Sequence, residues 1–189
     1  MEILDRLWLD LASSFVATPP SVATLRLVAA LSLGGAIGFE REWHHKSAGL
    51  RTHMLISVAA ALFALIALEL VQISANSGDP GARNDILRLI GAVTSGVAFL
   101  AAGSIFTAGN RVKGLTTGAG MWLAGAVGLA CGTGQIGLGL LATTLTVIVL
   151  WLFRVLEDRI ESHAAQTPVT PEPAPGASTH ARRPPGTED

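Results

Sequence analysis

The sequence predicts an all-α integral membrane protein, a bundle of about five transmembrane helices with the N-terminus outside the cell and the C-terminus inside. Only 14% of the 189 residues are charged and half are hydrophobic, whereas soluble domains carry about 25% charged residues. Several uncharged stretches are long enough to cross a bilayer. These stretches are continuously apolar rather than alternating, which favours helices over a β-barrel.

Charge and cysteine content exclude several classes of function. The net charge is -1, so nothing indicates a nucleic-acid partner. Cys131 is the single cysteine, which leaves no intramolecular disulfide and no cysteine metal site. Acidic residues Glu2, Asp5 and Asp10 stand where a signal peptide would be basic, so we expect the first span to insert the chain by itself.

The two ends of the chain differ from its middle. Residues 1–20 place apolar side chains at helical spacing between charges, which predicts an amphipathic helix lying in the membrane interface. Pro19 and Pro20 end that pattern. Residues 161–189 contain six of the nine prolines and no large apolar cluster, which predicts a disordered tail.

Residues 21–160 are predicted to form the transmembrane domain. A hydrocarbon core of about 30 Å needs roughly 20 helical residues. The 40 uncharged residues from 114 to 153 are twice that length, and residues 132–135 near their middle have the composition of a turn. The predicted spans are about 22–39, 50–73, 89–108, 115–133 and 136–153.

Positive charges between the spans orient the bundle. Seven lie on the side of residues 40–51, 109–113 and the segment after 153, against four on the other side, which favours the first side as cytoplasmic. Small residues at four-residue spacing predict close helix packing inside it. These pairs are Gly34 and Gly38, Ala98 and Ala102, Gly114 and Gly118, and Gly128 and Gly132.

The densest polar region joins the first two spans, at the inner face. Its candidate functional residues are Glu40, Arg41, Glu42, Arg51, Thr52 and His53. One interpretation is an ordinary loop with interfacial anchors such as Trp43. The other is a structured ion-pair network between the two spans, because charges that abut an apolar span are costly unless they are paired. Adjacent histidines point in different directions on a helix, so His44 and His45 do not predict a metal site.

A smaller polar group, Asp85 and Arg88 together with Glu69, is expected at the outer face. The i, i+3 spacing of Asp85 and Arg88 fits either helix capping or a functional role, and both interpretations stay open. Enzyme motifs for phosphate loops, zinc proteases and serine hydrolases are missing from the sequence. His53 and Ser57 share a helix face, but nothing in the sequence supplies oxyanion donors. We therefore expect no catalytic residues and no enzyme.

Four ordered motifs resemble the MgtC/SapB family of bacterial inner-membrane proteins. The first two are GFEREW from Gly38 and AGLRTHML from Ala48. The third joins Asp85 and Arg88 to SGVAFLAAG, which includes Ser95, Gly96 and Gly103. The fourth begins at Gly114 and includes Thr116 and Thr117. The likeness covers about residues 22–155, so the C-terminal soluble domain of longer members is not expected.

The resemblance implies a multi-pass inner-membrane protein in magnesium homeostasis, stress adaptation or virulence-associated growth. It favours a modulator of another membrane complex, while a transporter or channel for Mg²⁺ or another cation is the alternative. Expected partners are the lipid bilayer and either a membrane protein or further copies of the chain. No cofactor and no metal site are expected, although Mg²⁺ binding stays open.

Overall fold

The computed structural model describes residues 3, 6, 15–76, 82–109 and 111–164, with backbone alone for 82–86, 111 and 154–164. Most of the predicted interfacial helix, at residues 1–14, and of the predicted tail, at 165–189, lies outside the described residues. The elements are α1 Pro20–Trp43, α2 Leu50–Asn76, α3 Ala82–Gly103, β1 Phe106–Ala108, β2 Arg111–Lys113, α4 Leu115–Gly132 and α5 Ile136–Ala164. The chain divides into two compact units, Met1–Phe153 and Arg154–Asp189. The fold described below is that of the first.

Four of the described helices are long and apolar enough to cross a membrane: α1, α2, α4 and α5 over Ile136–Phe153. Helix α3 has a shorter apolar part, Leu87–Gly103. The all-α membrane architecture predicted from composition is confirmed. Helix α1 begins at Pro20, where a proline suits the first helical position because its missing N–H would have no partner there. It ends at Trp43, so Glu40, Arg41 and Glu42 belong to its last turn and not to a loop.

The third span differs from its predicted range of 89–108. Helix α3 begins earlier and ends at Gly103, and residues Phe106–Ala108 form a strand that pairs antiparallel with Arg111–Lys113. Ser104 closes the last helical turn, donating its backbone N–H and its hydroxyl to the Ala101 carbonyl. Gly109, at φ 64°, makes the turn between the strands. Hydropathy alone could not show this change, because Phe106–Ala108 are as free of charge as residues 89–103 before them.

Helix α2 packs against α1 and α4, which also contact each other, and glycines make both contacts of α2 close. A Cβ on Gly34 would lie 2.5 Å from the Ser57 Cβ, and one on Gly38 would lie 2.8 Å from the Leu50 Cα. On the other side, a Cβ on Gly128 or Gly132 would collide with backbone carbonyls of α2. Since helices in lipid gain little from hydrophobicity when they associate, such backbone approach stabilises the bundle through van der Waals contact.

Most of the small residues of α3 face outward instead. Ala98 and Ala102 are exposed, and a Cβ on Gly91, Gly96 or Gly103 would have no other atom within 4 Å. The prediction that Ala98 and Ala102 pack against a neighbouring helix of the same chain is therefore wrong. Helix α3 contacts α4 through another residue, Val97, whose side chain lies against Gly125.

Helices α4 and α5 are joined by the turn predicted at residues 132–135. Gly134 has φ 89°, a conformation that glycine adopts at little cost. The backbone N–H groups of Gly134 and Gln135 donate to the carbonyls of Cys131 and Ala130, at 3.0 and 2.8 Å. These bonds satisfy carbonyls that the end of α4 would otherwise leave without partners.

Candidate functional site

The first polar cluster lies in the last turn of α1. The Arg41 Nε donates to Glu40 Oε2 at 2.8 Å, and His44 Nδ1 lies 3.0 Å from Glu40 Oε1. The same His44 nitrogen lies 2.6 Å from the Glu40 carbonyl oxygen. Arg41 is only 4% exposed, although it carries a full charge at the end of an apolar helix. Glu40 thus balances a buried cation.

Glu42, one residue beyond this pair, connects α1 to α2. Its carboxylate accepts the backbone N–H of Leu50 at 3.0 Å, at the first residue of α2. A carboxylate is favoured there because the first N–H groups of a helix lack internal partners and carry partial positive charge. Gly49 permits this approach, since a Cβ on Gly49 would collide with the Glu42 carboxylate. Glu42 therefore caps the second span from the end of the first.

His53, one turn into α2, is fully buried at 0% exposure. Its Nδ1 lies 2.9 Å from the Gly49 carbonyl oxygen, which can only accept a hydrogen bond. Its Nε2 faces α4, where a Cβ on Gly120 would lie 3.1 Å away. The side chain of Arg41 reaches the same place, with its Cδ 3.9 Å from that Cβ position. Three helices therefore meet around His53.

The six predicted inner-face residues divide into two groups. Glu40, Arg41 and His53 come together in the buried cluster, and Glu42 supports them as the cap of α2. Arg51 is exposed and Thr52 half-buried. The salt bridges found in this region join Glu40 to Arg41 and to His44, the residue that follows α1, whereas the bond from Glu42 to α2 is a helix cap. Sequence reasoning missed Gly49 and Gly120 as members of this site, because their role depends on which helix each one faces.

The opposite end of the bundle contains a second carboxylate site. Glu69 of α2 accepts backbone N–H groups from Val16 and Ala17 on Oε2, both at 2.8 Å. Its Oε1 accepts the N–H of Thr18 at 2.9 Å. The segment before α1 is thus fastened to α2. An acidic residue near the end of an apolar span was the signal in the sequence, but its partners are backbone atoms that no sequence pattern identifies.

Arg26 lies at this same end and caps α4. Its Nη1 donates to the Gly132 carbonyl oxygen at 3.0 Å, in the last turn of that helix. Cations stabilise helix C-termini because the last carbonyls carry partial negative charge. Of the predicted outer-face pair, Arg88 is exposed and the side chain of Asp85 lies outside the described residues.

The remaining motif residues lie along α3 and at the start of α4. Ser95, Gly96, Gly103 and Thr116 are exposed, whereas Thr117 is buried. Gly114 has φ 87° and lies against the Ser104 carbonyl, which lets the strand pair lead directly into α4. Among the residues whose side chains are described, no three histidine, cysteine or acidic side chains are grouped as a metal site.

The sequence of this chain is similar to those of known proteins. The sequence profile of the MgtC family matches residues 27–159, which is most of the chain. The matched range includes Glu40, Glu42, His53 and Glu69, and it begins just after Arg26. The chain belongs to the MgtC family. It is 41% identical over 138 residues to "Protein MgtC" of Brucella abortus (strain 2308), covering 73% of this chain and 54% of that protein. No solved structure matches the chain.

Two further MgtC family relatives show the same range of similarity. The chain is 36% identical over 148 residues to "Protein MgtC" of Salmonella choleraesuis (strain SC-B67), covering 78% of this chain and 58% of the relative. It is 35% identical over 140 residues to "Putative magnesium transporter YhiD" of Escherichia coli (strain K12), covering 72% of this chain and 62% of that protein. The chain therefore spans between half and two thirds of the length of these relatives.

Proposed function

We propose that this MgtC family protein acts in magnesium homeostasis or stress adaptation in the bacterial inner membrane, as a modulator that docks on another membrane complex. The observation that supports a modulator is the use of three carboxylates among the described residues. Glu40 is bonded to Arg41, Glu42 caps α2, and Glu69 holds three backbone N–H groups. Each of these acidic side chains stabilises the fold.

Magnesium transport makes other demands on carboxylates. Mg²⁺ requires near-octahedral oxygen coordination and loses its water reluctantly, so a path needs carboxylates free to replace that water. Transport sites also tend to lie near the membrane midplane, on interrupted helices. Here the three carboxylates lie near helix ends, and α1 and α2 are each one continuous helix. This favours a role without ion passage.

The alternative is a Mg²⁺ or other cation transporter or channel. It is favoured by one observation, the name of the Escherichia coli relative, which describes a magnesium transporter. Several copies of the chain could build a path between them. Under either alternative we propose no catalytic activity, the N-terminus outside, and the cluster of Glu40, Arg41 and His53 at the cytoplasmic face.

Docking can be tested by co-purification from native membranes of cells grown at low magnesium. Gly34 and Gly38 are unsuitable for disruption, because larger side chains there collide with α2 inside the chain itself. Gly96 on α3 and Gly137 on α5 suit it better, since a Cβ at either position meets nothing within 4 Å. Both Gly96→Leu and Gly137→Leu should therefore fold.

If α3 contacts the partner, Gly96→Leu loses a complex that wild type and Gly137→Leu both retain. The glycine face of α3 would let a partner helix approach closely, and a leucine would hold the two backbones apart. A complex that survives Gly96→Leu unchanged would contradict docking through α3. Finding no membrane protein that co-purifies with the wild-type chain would contradict the modulator itself.

A further inference from the structure

Two polar atoms lie inside the bundle where α1, α2 and α4 meet. They are Nη1 of Arg41 and Nε2 of His53, and each is shielded from solvent without a hydrogen-bond partner among the described residues. Both side chains are more than nine-tenths buried. They come together opposite Gly120, where a Cβ would lie 3.1 Å from Nε2 and 3.9 Å from the Arg41 Cδ. Leaving two such buried groups without partners would destabilise the fold.

The hydrogen-bonding character of the two atoms is complementary. The Gly49 carbonyl fixes the proton of His53 on Nδ1, since a carbonyl can only accept, and leaves a lone pair on Nε2 of the neutral ring. A second positive charge beside Arg41 would be costly in this buried place, so the ring is neutral. Arg41 Nη1, in contrast, can only donate. A ligand between them must both accept and donate a hydrogen bond.

The charges around the site select a neutral ligand. A metal cation would be repelled by the Arg41 guanidinium, which cannot coordinate it. An anion would find that charge already balanced, because Glu40 lies 2.8 Å from Arg41 Nε and also contacts His44. Gly120 places no side chain beside Nε2, and the close approach of α4 there restricts a ligand to something small. Water is small and neutral, and it donates and accepts at once.

We propose that one water molecule bridges Arg41 and His53 inside the bundle, accepting from Nη1 of Arg41 and donating to Nε2 of His53. This water links the polar cluster at the end of α1 to the buried histidine of α2. Internal waters of this kind form part of a fold, because they complete bonds that the protein itself leaves open.

The test is NMR on the full chain in lipid nanodiscs, with labelled histidine and methionine. The His53 ring signal is assigned by its loss in His53→Gln. We expect the ring to be protonated on Nδ1. We also expect magnetisation transfer from water to the His53 ring to be well above the transfer to Met121, a buried apolar residue of α4. A His53 signal no stronger than that of Met121, or a proton found on Nε2, would overturn the proposal.

A matched pair of glycines on α4 supplies the second arm. The methyl group of Gly120→Ala would take the space beside Nε2 and should reduce the water signal of His53 to the level of Met121. Gly118→Ala is equally tight, with its Cβ 3.0 Å from the Ala101 carbonyl oxygen, but it faces α3 and should leave the signal unchanged. A full water signal in folded Gly120→Ala would contradict the bridge. If Gly120→Ala does not fold, the proposal is tested by comparing the water signals of His53 and Met121 in the wild-type protein.

Discussion

Replacing Gly38 or Gly96 by alanine should change stability in opposite directions. In Gly38→Ala the new Cβ would lie 2.8 Å from the Leu50 Cα, 2.9 Å from the His53 Cβ and 3.0 Å from the Gly49 carbonyl oxygen. Two of these three atoms belong to the backbone of the segment that begins α2, so the contact cannot be relieved by rotating a side chain. Overpacking of this kind costs about 1–3 kcal/mol. Gly38→Ala should therefore unfold at a lower temperature than wild type.

Gly96→Ala is the matched control, also a glycine within a helix. Its Cβ meets nothing within 4 Å, so the substitution acts through backbone entropy alone and should leave stability unchanged or raise it by about 0.5–1 kcal/mol. Both variants can be compared with wild type by thermal unfolding in detergent, followed by circular dichroism. The reasoning is refuted if Gly38→Ala is as stable as wild type, or if Gly96→Ala loses as much stability as Gly38→Ala.

Three further predictions concern the caps and the terminal segment. Glu42→Ala should lose about 0.5–2 kcal/mol of unfolding free energy, as helix caps do, and Glu42→Gln should recover part of it because an oxygen acceptor remains. Arg26→Met should lose about 0.3–1 kcal/mol, since the C-terminus of α4 loses its cation; equal stability would show that this cap contributes nothing. Glu69→Ala should speed hydrogen exchange at the amides of residues 16–18, while Gln72→Ala, an exposed change on the same helix, should not. Equal exchange in both variants would contradict the Glu69 contacts.

Much of the architecture could be predicted because membrane helices are limited by two simple quantities, length and charge. Residues 132–135 are predicted to form a turn because 40 uncharged residues are too long for one span. The end of α3 could not be predicted in this way. Ile105 and Phe106 are as apolar as the helix before them, and the strand depends on pairing with residues beyond Gly109.

The sequence shows which residue types belong to the site, but it does not show which atoms contact each other. Charges beside an apolar span indicated that Glu40 and Arg41 needed partners, and the structure supplies them within α1. The outer-face group of Glu69, Asp85 and Arg88 stays a prediction. Glu69 accepts three backbone N–H groups, and every residue except proline offers the same amide to such a contact, so the sequence alone does not identify it.

Mg²⁺ flux into proteoliposomes that contain only this chain tests the central claim most directly. If its carboxylates stabilise the bundle and do not line a path, vesicles with the wild-type protein should take up Mg²⁺ no faster than vesicles without protein. Vesicles with folded Glu40→Gln protein should take up Mg²⁺ at the same rate as vesicles with the wild-type protein and vesicles without protein. Uptake that requires the wild-type chain and disappears in folded Glu40→Gln would contradict the modulator and establish the transporter.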